Sequence, residues 1–100
     1  MAATINWQLE GDQLTFNGEL TRATVAQVWQ QRQQWLAQAQ ERLNVDLAAV
    51  EHVDSAGVAM LLQLKKHLLQ QQSDLVIHHA SEQFDAIVAV GGGTSLLKHV

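Results

Sequence analysis

The sequence predicts an α/β domain with a mixed four-stranded sheet and about three helices, mainly on one face of the sheet. Two short runs of alternating apolar and polar residues near the start are typical of a β-hairpin. The rest of the chain alternates stretches of helical spacing with short apolar runs of strand length. The resulting order, β-β-α-β-α-β-α, favours parallel crossovers after the hairpin.

The first two strands flank a turn at Gly11 and Asp12. Both residue types are common in tight turns, and glycine adopts positive φ at little cost. Apolar side chains alternate with polar ones on each side of this turn, which places them on one face of each strand. They are Ile5, Trp7 and Leu9 before the turn and Leu14 and Phe16 after it.

A helical period replaces the strand period from about Thr24, and glutamines occupy the opposite face of the predicted helix. The hydroxyl of Thr21 or of Thr24 is expected to cap its start. Glu41 and Arg42 mark its expected end, and we expect at least two of the three tryptophans to lie in the core. The inward face consists of Val25, Val28, Trp29, Arg32, Trp35, Leu36 and Ala39.

The second half of the chain continues the alternation of strands and helices. Residues 43–47 have strand period, residues 56–70 form an apolar helix without a breaker after Gly57, and residues 75–77 read as a fourth strand. A helix over residues 81–90 begins at Ser81 as the expected N-cap. The glycine triplet 91–93 is expected to end that helix, and residues 94–100 to form a short final element.

The amino-acid composition excludes several classes of function. One hundred residues with 47% apolar side chains and a formal net charge of −4 fit a single globular domain over residues 1–100. Only six lysines and arginines are present, too few and too scattered for a nucleic-acid site. The chain has no cysteine, and no apolar run reaches the roughly 20 residues of a membrane span, so we expect a cytoplasmic protein.

The most distinctive segment is Asp54-Ser55-Ala56-Gly57 at the start of the apolar helix. Ser55 is a candidate helix cap, and Gly57 lacks a side chain, so another surface is expected to approach the helix closely there. An N-cap alone would also explain the pair Asp54-Ser55. The helix is apolar around much of its circumference, however, so Val58, Met60 and Leu62 need cover that the sheet does not provide. These seven residues, 54–58, 60 and 62, form a predicted protein-binding site.

Catalytic and metal sites are not expected. His52 lies only three residues before Ser55 and has no evident orienting partner, so a serine–histidine pair has little support, although a base from a distant segment would permit a small hydrolase. His78 and His79 are adjacent in a strand and point to opposite faces, so they are expected to be surface residues. The adjacent Lys65 and Lys66 are expected to face solvent. We predict no catalytic residue, no metal and no cofactor.

The hairpin, helix and strand followed by Asp54-Ser55-Ala56-Gly57 and an apolar helix resemble the STAS domain family. The resemblance implies the SpoIIAA-like fold and a binding role without catalysis. In that family the loop and the following helix form the partner surface, and the hydroxyl residue of the loop is often phosphorylated. The resemblance therefore implies that Ser55 is the possible phosphorylation site.

The first third of the chain resembles one branch of this family, the STAS subunits of bacterial ABC phospholipid transporters. That branch implies a cytoplasmic subunit, peripheral to the inner membrane, that binds and regulates or stabilises the transporter's ATPase in maintaining outer-membrane lipid asymmetry. The alternative is an anti-sigma factor antagonist switched by phosphorylation of Ser55. The residues that carry this closer resemblance are Trp7, Gly11, Asp12, Leu14, Gly18, Glu19, Leu20, Trp29 and Arg32.

Overall fold

The computed structural model describes residues 4–36 and 41–90. This part of the chain contains four strands and four helices in the order β-β-α-α-β-α-β-α. The elements are β1 (Ile5–Glu10), β2 (Gln13–Leu20), α1 (Val25–Gln30), α2 (Arg32–Leu36), β3 (Arg42–Val53), α3 (Ser55–Gln70), β4 (Asp74–His78) and α4 (Glu82–Val90). The predicted α/β class and mixed four-stranded sheet are confirmed. The predicted glycine triplet and final element lie outside the described residues.

The strands lie in the order β1-β2-β3-β4 across one sheet. Strands β1 and β2 form the predicted antiparallel hairpin, whereas β2–β3 and β3–β4 are parallel. Each parallel pair is joined through helices, as a parallel connection requires. Buried and partly exposed residues alternate along β4, so one face of the sheet packs against the helices.

Strand β3 is much longer than predicted. The sequence indicated residues 43–47, but the strand runs from Arg42 to Val53. Its pairing with β2 shifts register twice, between Thr15 and Asn17 and between Gly18 and Glu19. Each irregularity interrupts the alternation of inward and outward side chains. The second half of β3 therefore lacks the period of two by which a strand is recognised in sequence.

The first helix is interrupted at Gln31, where the sequence predicted one continuous helix. The Gln34 N–H donates to the Gln31 carbonyl at 2.9 Å, a tighter turn than the α-helical bond. Trp7 Nε1 donates to the Gln31 side chain at 2.9 Å at the same point. Thr24 occupies the N-cap position of α1, but the predicted cap hydrogen bond is wrong, because its hydroxyl donates back to the Glu19 carbonyl at 2.6 Å. The Thr21 hydroxyl accepts from the Ala23 N–H, which precedes the helix.

The core lies between the sheet and the helices. Trp35 is buried and meets Phe16 edge-on at 6.4 Å between ring centroids. Trp7 and Trp29 are only partly buried against the core, so the prediction of at least two core tryptophans is confirmed for Trp35 alone. Ser81 caps α4 as predicted, since its hydroxyl accepts from the Phe84 N–H at 3.1 Å.

Lys65 contradicts the sequence prediction that the adjacent lysines face solvent. Lys66 is exposed, but Lys65 is 4% exposed and lies on the inward side of α3. Its ammonium group forms an ion pair with Asp74 and donates to the Leu75 carbonyl at 3.1 Å. The long aliphatic stem occupies the core while the charged end reaches the start of β4, where these oxygens lie.

Candidate functional site

Asp54 holds together the starts of two helical segments. One carboxylate oxygen accepts from the Gly57 N–H at 3.1 Å and so caps α3, and the other accepts from the Arg22 N–H at 2.9 Å in the segment that leads into α1. The residue itself is in extended conformation, as an N-cap requires. The sequence predicted Ser55 as the cap, so this assignment is wrong by one residue. Asp54 is engaged within the chain.

The surroundings of Asp54 favour its charged form. Partial burial raises its pKa, but the N–H groups of Arg22, Gly57 and Ala56 and the positive charge of Arg22 lower it by more, so the pKa of Asp54 lies below its ordinary value. A depressed folded-state pKa contributes stability that is present above the pKa of the unfolded chain. That stability is lost as the pH falls through the folded-state pKa.

Asp54→Ala is therefore expected to lower the free energy of unfolding by about 1 kcal/mol at neutral pH, the usual value of an N-cap. The difference from the wild-type protein should shrink below about pH 4, where the carboxylate becomes protonated. Urea denaturation at a series of pH values measures it. A difference that is independent of pH would show that the charge of Asp54 contributes nothing.

Gly57 permits close packing inside the protein. A Cβ atom at this position would lie 2.2 Å from the Leu20 carbonyl oxygen, at the end of β2. The Asp54 N–H also donates to that oxygen, at 3.4 Å. The sequence predicted that Gly57 lets an outside surface approach α3. The surface that approaches it is the end of the chain's own strand β2.

Ser55 is the exposed residue of this loop. It occupies the first position of α3, and its hydroxyl makes no hydrogen bond to any described residue. Neither His52 nor another base within residues 4–36 and 41–90 contacts it, so the pairing that activates a serine nucleophile is absent from this part of the chain. The exposed position of Ser55 is suitable for contact with a partner protein or for modification by another enzyme.

The apolar residues at the start of α3 differ in exposure from the prediction. Val58 and Met60 are 4% and 7% exposed, because the chain's own core covers them, whereas Leu62 is partly exposed. Val58 and Met60 therefore do not need an outside partner for cover. They contribute only edges to the grooves on either side of α3.

Two shallow apolar grooves flank the outer ridge of α3. The first, of about 470 Å³, lies between α3 and α4, and the second, of about 440 Å³, lies between α3 and α1. Ala59 is exposed on the outward side of α3 and borders both grooves. Because its side chain is small, a partner can approach α3 closely there. The sequence reasoning missed the contributions of α1 and α4, since these depend on how the helices pack. They are Val25, Ala26 and Trp29 from α1 and Ala86, Ile87 and Val90 from α4.

The histidines pair with side chains of β3. His78 contacts Asn44 at 2.9 Å and His79 contacts Asp46 at 3.0 Å, and His79 is exposed. Among the residues that the structure describes, no group of three or more histidine, aspartate and glutamate side chains has an arrangement that could hold a metal ion. Nor is any helix in those residues long and apolar enough to cross a lipid bilayer.

Residues 3–98 match the family model described as Mlab, STAS domain. The chain belongs to the STAS domain family. Among curated STAS relatives, the intermembrane phospholipid transport system binding protein MlaB of Escherichia coli (strain K12) is 26% identical over 84 residues. The match covers 83% of this chain and 82% of that protein, and MlaB of Shigella flexneri matches to the same extent.

Solved STAS structures share the fold. The anti-sigma factor antagonist SpoIIAA in its unphosphorylated form aligns with a TM-score of 0.74 at 15% identity, over 97% of this chain and 88% of that one. A putative anti-sigma factor antagonist from Thermotoga maritima aligns with a TM-score of 0.77 at 12% identity, over 95% and 84%. The predicted SpoIIAA-like fold is thereby confirmed.

Proposed function

We propose that the chain is a non-enzymatic STAS subunit that binds the ATPase of an ABC phospholipid transporter. The observation that carries the proposal is the exposed Ser55 at the start of α3, between two apolar grooves. A surface of this kind suits a protein partner, because apolar area gives affinity and small residues permit close contact. Similarity to MlaB, the binding protein of an intermembrane phospholipid transport system, supports the choice of partner.

Binding alone is enough to regulate or stabilise such an ATPase. A subunit that prefers one conformation of its partner shifts the partner toward that conformation. A tenfold preference is equivalent to about 1.4 kcal/mol. The chain would act in the cytoplasm, reach the inner membrane only through the transporter, and so contribute to outer-membrane lipid asymmetry without contacting lipid.

The alternative is an anti-sigma factor antagonist, which the fold shared with SpoIIAA supports. The same surface would then bind an anti-sigma factor, and phosphorylation of Ser55 would release it. A phosphate adds about −1.5 to −2 charges, which an apolar interface accommodates poorly. The exposed position of Ser55 is compatible with either function.

Ser55→Glu and Leu62→Glu are each expected to weaken binding of the transporter ATPase at least about tenfold, because each buries an unpaired carboxylate in the interface. The measurement is biolayer interferometry with the purified ATPase from the same organism. Both side chains are exposed or partly exposed in the free chain, so both variants should fold.

Two controls separate the interface from general effects of charge. Leu69→Glu makes the same substitution at an exposed leucine of α3, two turns beyond Leu62, and is expected to bind like the wild type. Ser55→Ala removes the hydroxyl without adding charge and should retain most of the affinity. A wild-type chain that binds an anti-sigma kinase and not the ATPase would replace the leading proposal with the alternative.

A further inference from the structure

A more polar groove of about 240 Å³ lies between α2 and the end of α3, next to the apolar groove between α1 and α3. Arg32 borders the polar groove and stacks over the ring of Trp29, which borders the apolar groove, at 4.7 Å. Val25, Trp29 and Met60 border the apolar end, and Arg32, His67 and Gln71 border the polar end. We call the whole feature the α1–α3 groove.

The dimensions of the α1–α3 groove suit a helix. Along α3 it extends from Ala56 to Gln71, which is about 22 Å at a rise of 1.5 Å per residue. About four turns of an added helix span that length. An amphipathic helix places apolar side chains on one face at the spacing of its turns, so it can fill such a groove continuously.

The charge around the groove is positive although the chain as a whole has a formal net charge of −4. Residues 20–36 and 55–73 contain no aspartate or glutamate. The buried ammonium of Lys65 is paired with Asp74, which leaves Arg22, Arg32 and Lys66 as the basic side chains of these ranges that reach the surface. Asp54 lies beside Arg22 at the apolar end of the groove, so the cations that carboxylates on a partner would meet are Arg32 and Lys66.

We propose that the α1–α3 groove binds an acidic amphipathic helix of the ATPase partner, with apolar side chains toward Trp29 and Met60 and a carboxylate on Arg32. This inference rests on the proposed function. Arg32 already donates to the Trp29 carbonyl at 2.9 Å, so its guanidinium is held in place. A planar group in a fixed position can pair with a carboxylate through two hydrogen bonds at a low entropic cost.

Arg32→Glu is expected to weaken binding of the purified ATPase at least about tenfold, because it places like charges in contact. Arg42→Glu is the matched control, since it makes the same change in net charge at an exposed residue at the start of β3, away from the groove. It should change the affinity less than about twofold. Wild-type binding should also weaken with ionic strength, and Arg32→Gln should reduce that dependence.

Ala26→Glu is a second variant that keeps the inference testable if Arg32→Glu unfolds. Ala26 is exposed on α1 at the apolar end of the groove, and Ala89→Glu is its control on α4. A photo-crosslinker in place of Ala26 should capture a helical segment of the ATPase that contains aspartate or glutamate.

The outcomes distinguish this inference from the proposed function. Loss of binding in Arg32→Glu and Ala26→Glu alone supports both. ATPase binding that both variants retain, or a cross-link to a segment without acidic residues, would overturn the inference and leave the proposed function intact. A wild-type chain that ignores the ATPase overturns both. Self-association of the wild type that Arg32→Glu abolishes would assign the groove to a second copy and also overturn the inference.

Discussion

Gly57→Ala is expected to lower the free energy of unfolding by more than about 3 kcal/mol. The added methyl would lie 2.2 Å from the Leu20 carbonyl oxygen, and real Cβ atoms do not approach that closely. The obstacle is backbone, so no side-chain rotation removes it. Either α3 moves away from β2 or the end of β2 shifts.

Urea denaturation followed by circular dichroism measures this effect. Gly11→Ala is the matched control, because Gly11 has a φ of +61° but nothing lies within 4 Å of an added Cβ. The free energy of unfolding of that variant should fall only by the cost of an alanine in the left-handed conformation, about 1 to 2 kcal/mol. Equal losses of unfolding free energy in the two variants would show that close packing of Gly57 against the Leu20 carbonyl is not what makes the substitution costly.

Asp74→Asn is expected to be the second most damaging of these changes, at about 2 to 3 kcal/mol. It leaves the ammonium of Lys65 buried without its carboxylate. Lys65→Met should cost less, about 1 kcal/mol, because methionine fills similar space and Asp74 keeps contact with water through a side chain that is 42% exposed. A loss of unfolding free energy in Lys65→Met as large as that in Asp74→Asn would contradict this prediction.

The double variant Lys65→Met/Asp74→Asn completes a thermodynamic cycle with the two single variants. Its stability should lie close to that of Lys65→Met, because the carboxylate matters mainly while the ammonium is present. Chemical denaturation at neutral pH gives all four values. Losses that simply add would mean that the pair is not coupled.

Much of the fold follows from local patterns in the sequence. The alternation around Gly11 predicts the hairpin, and the helical spacing of apolar residues predicts the helices that carry Trp35 and Leu61 into the core. Ser81 caps α4 as its position suggested. These features depend on neighbours in sequence, so a single chain is enough to predict them.

The features that were missed depend on partners distant in sequence. The length of β3 depends on two register shifts against β2. Lys65 reaches an oxygen of β4 that no pattern on α3 reveals. Val58 and Met60 are covered by packing within the domain, so an apolar circumference on α3 does not by itself measure the surface left for a partner.

The internal roles of Asp54 and Gly57 suggest why one loop motif can accompany different partners. Asp54 and Gly57 are both committed to the domain's own architecture, through the cap of α3 and the contact with Leu20. Only Ser55 and Ala56 face outward enough to vary without disturbing that architecture. The motif is then chiefly a signature of how the domain is assembled, and the choice of partner is encoded in the helix surfaces around it.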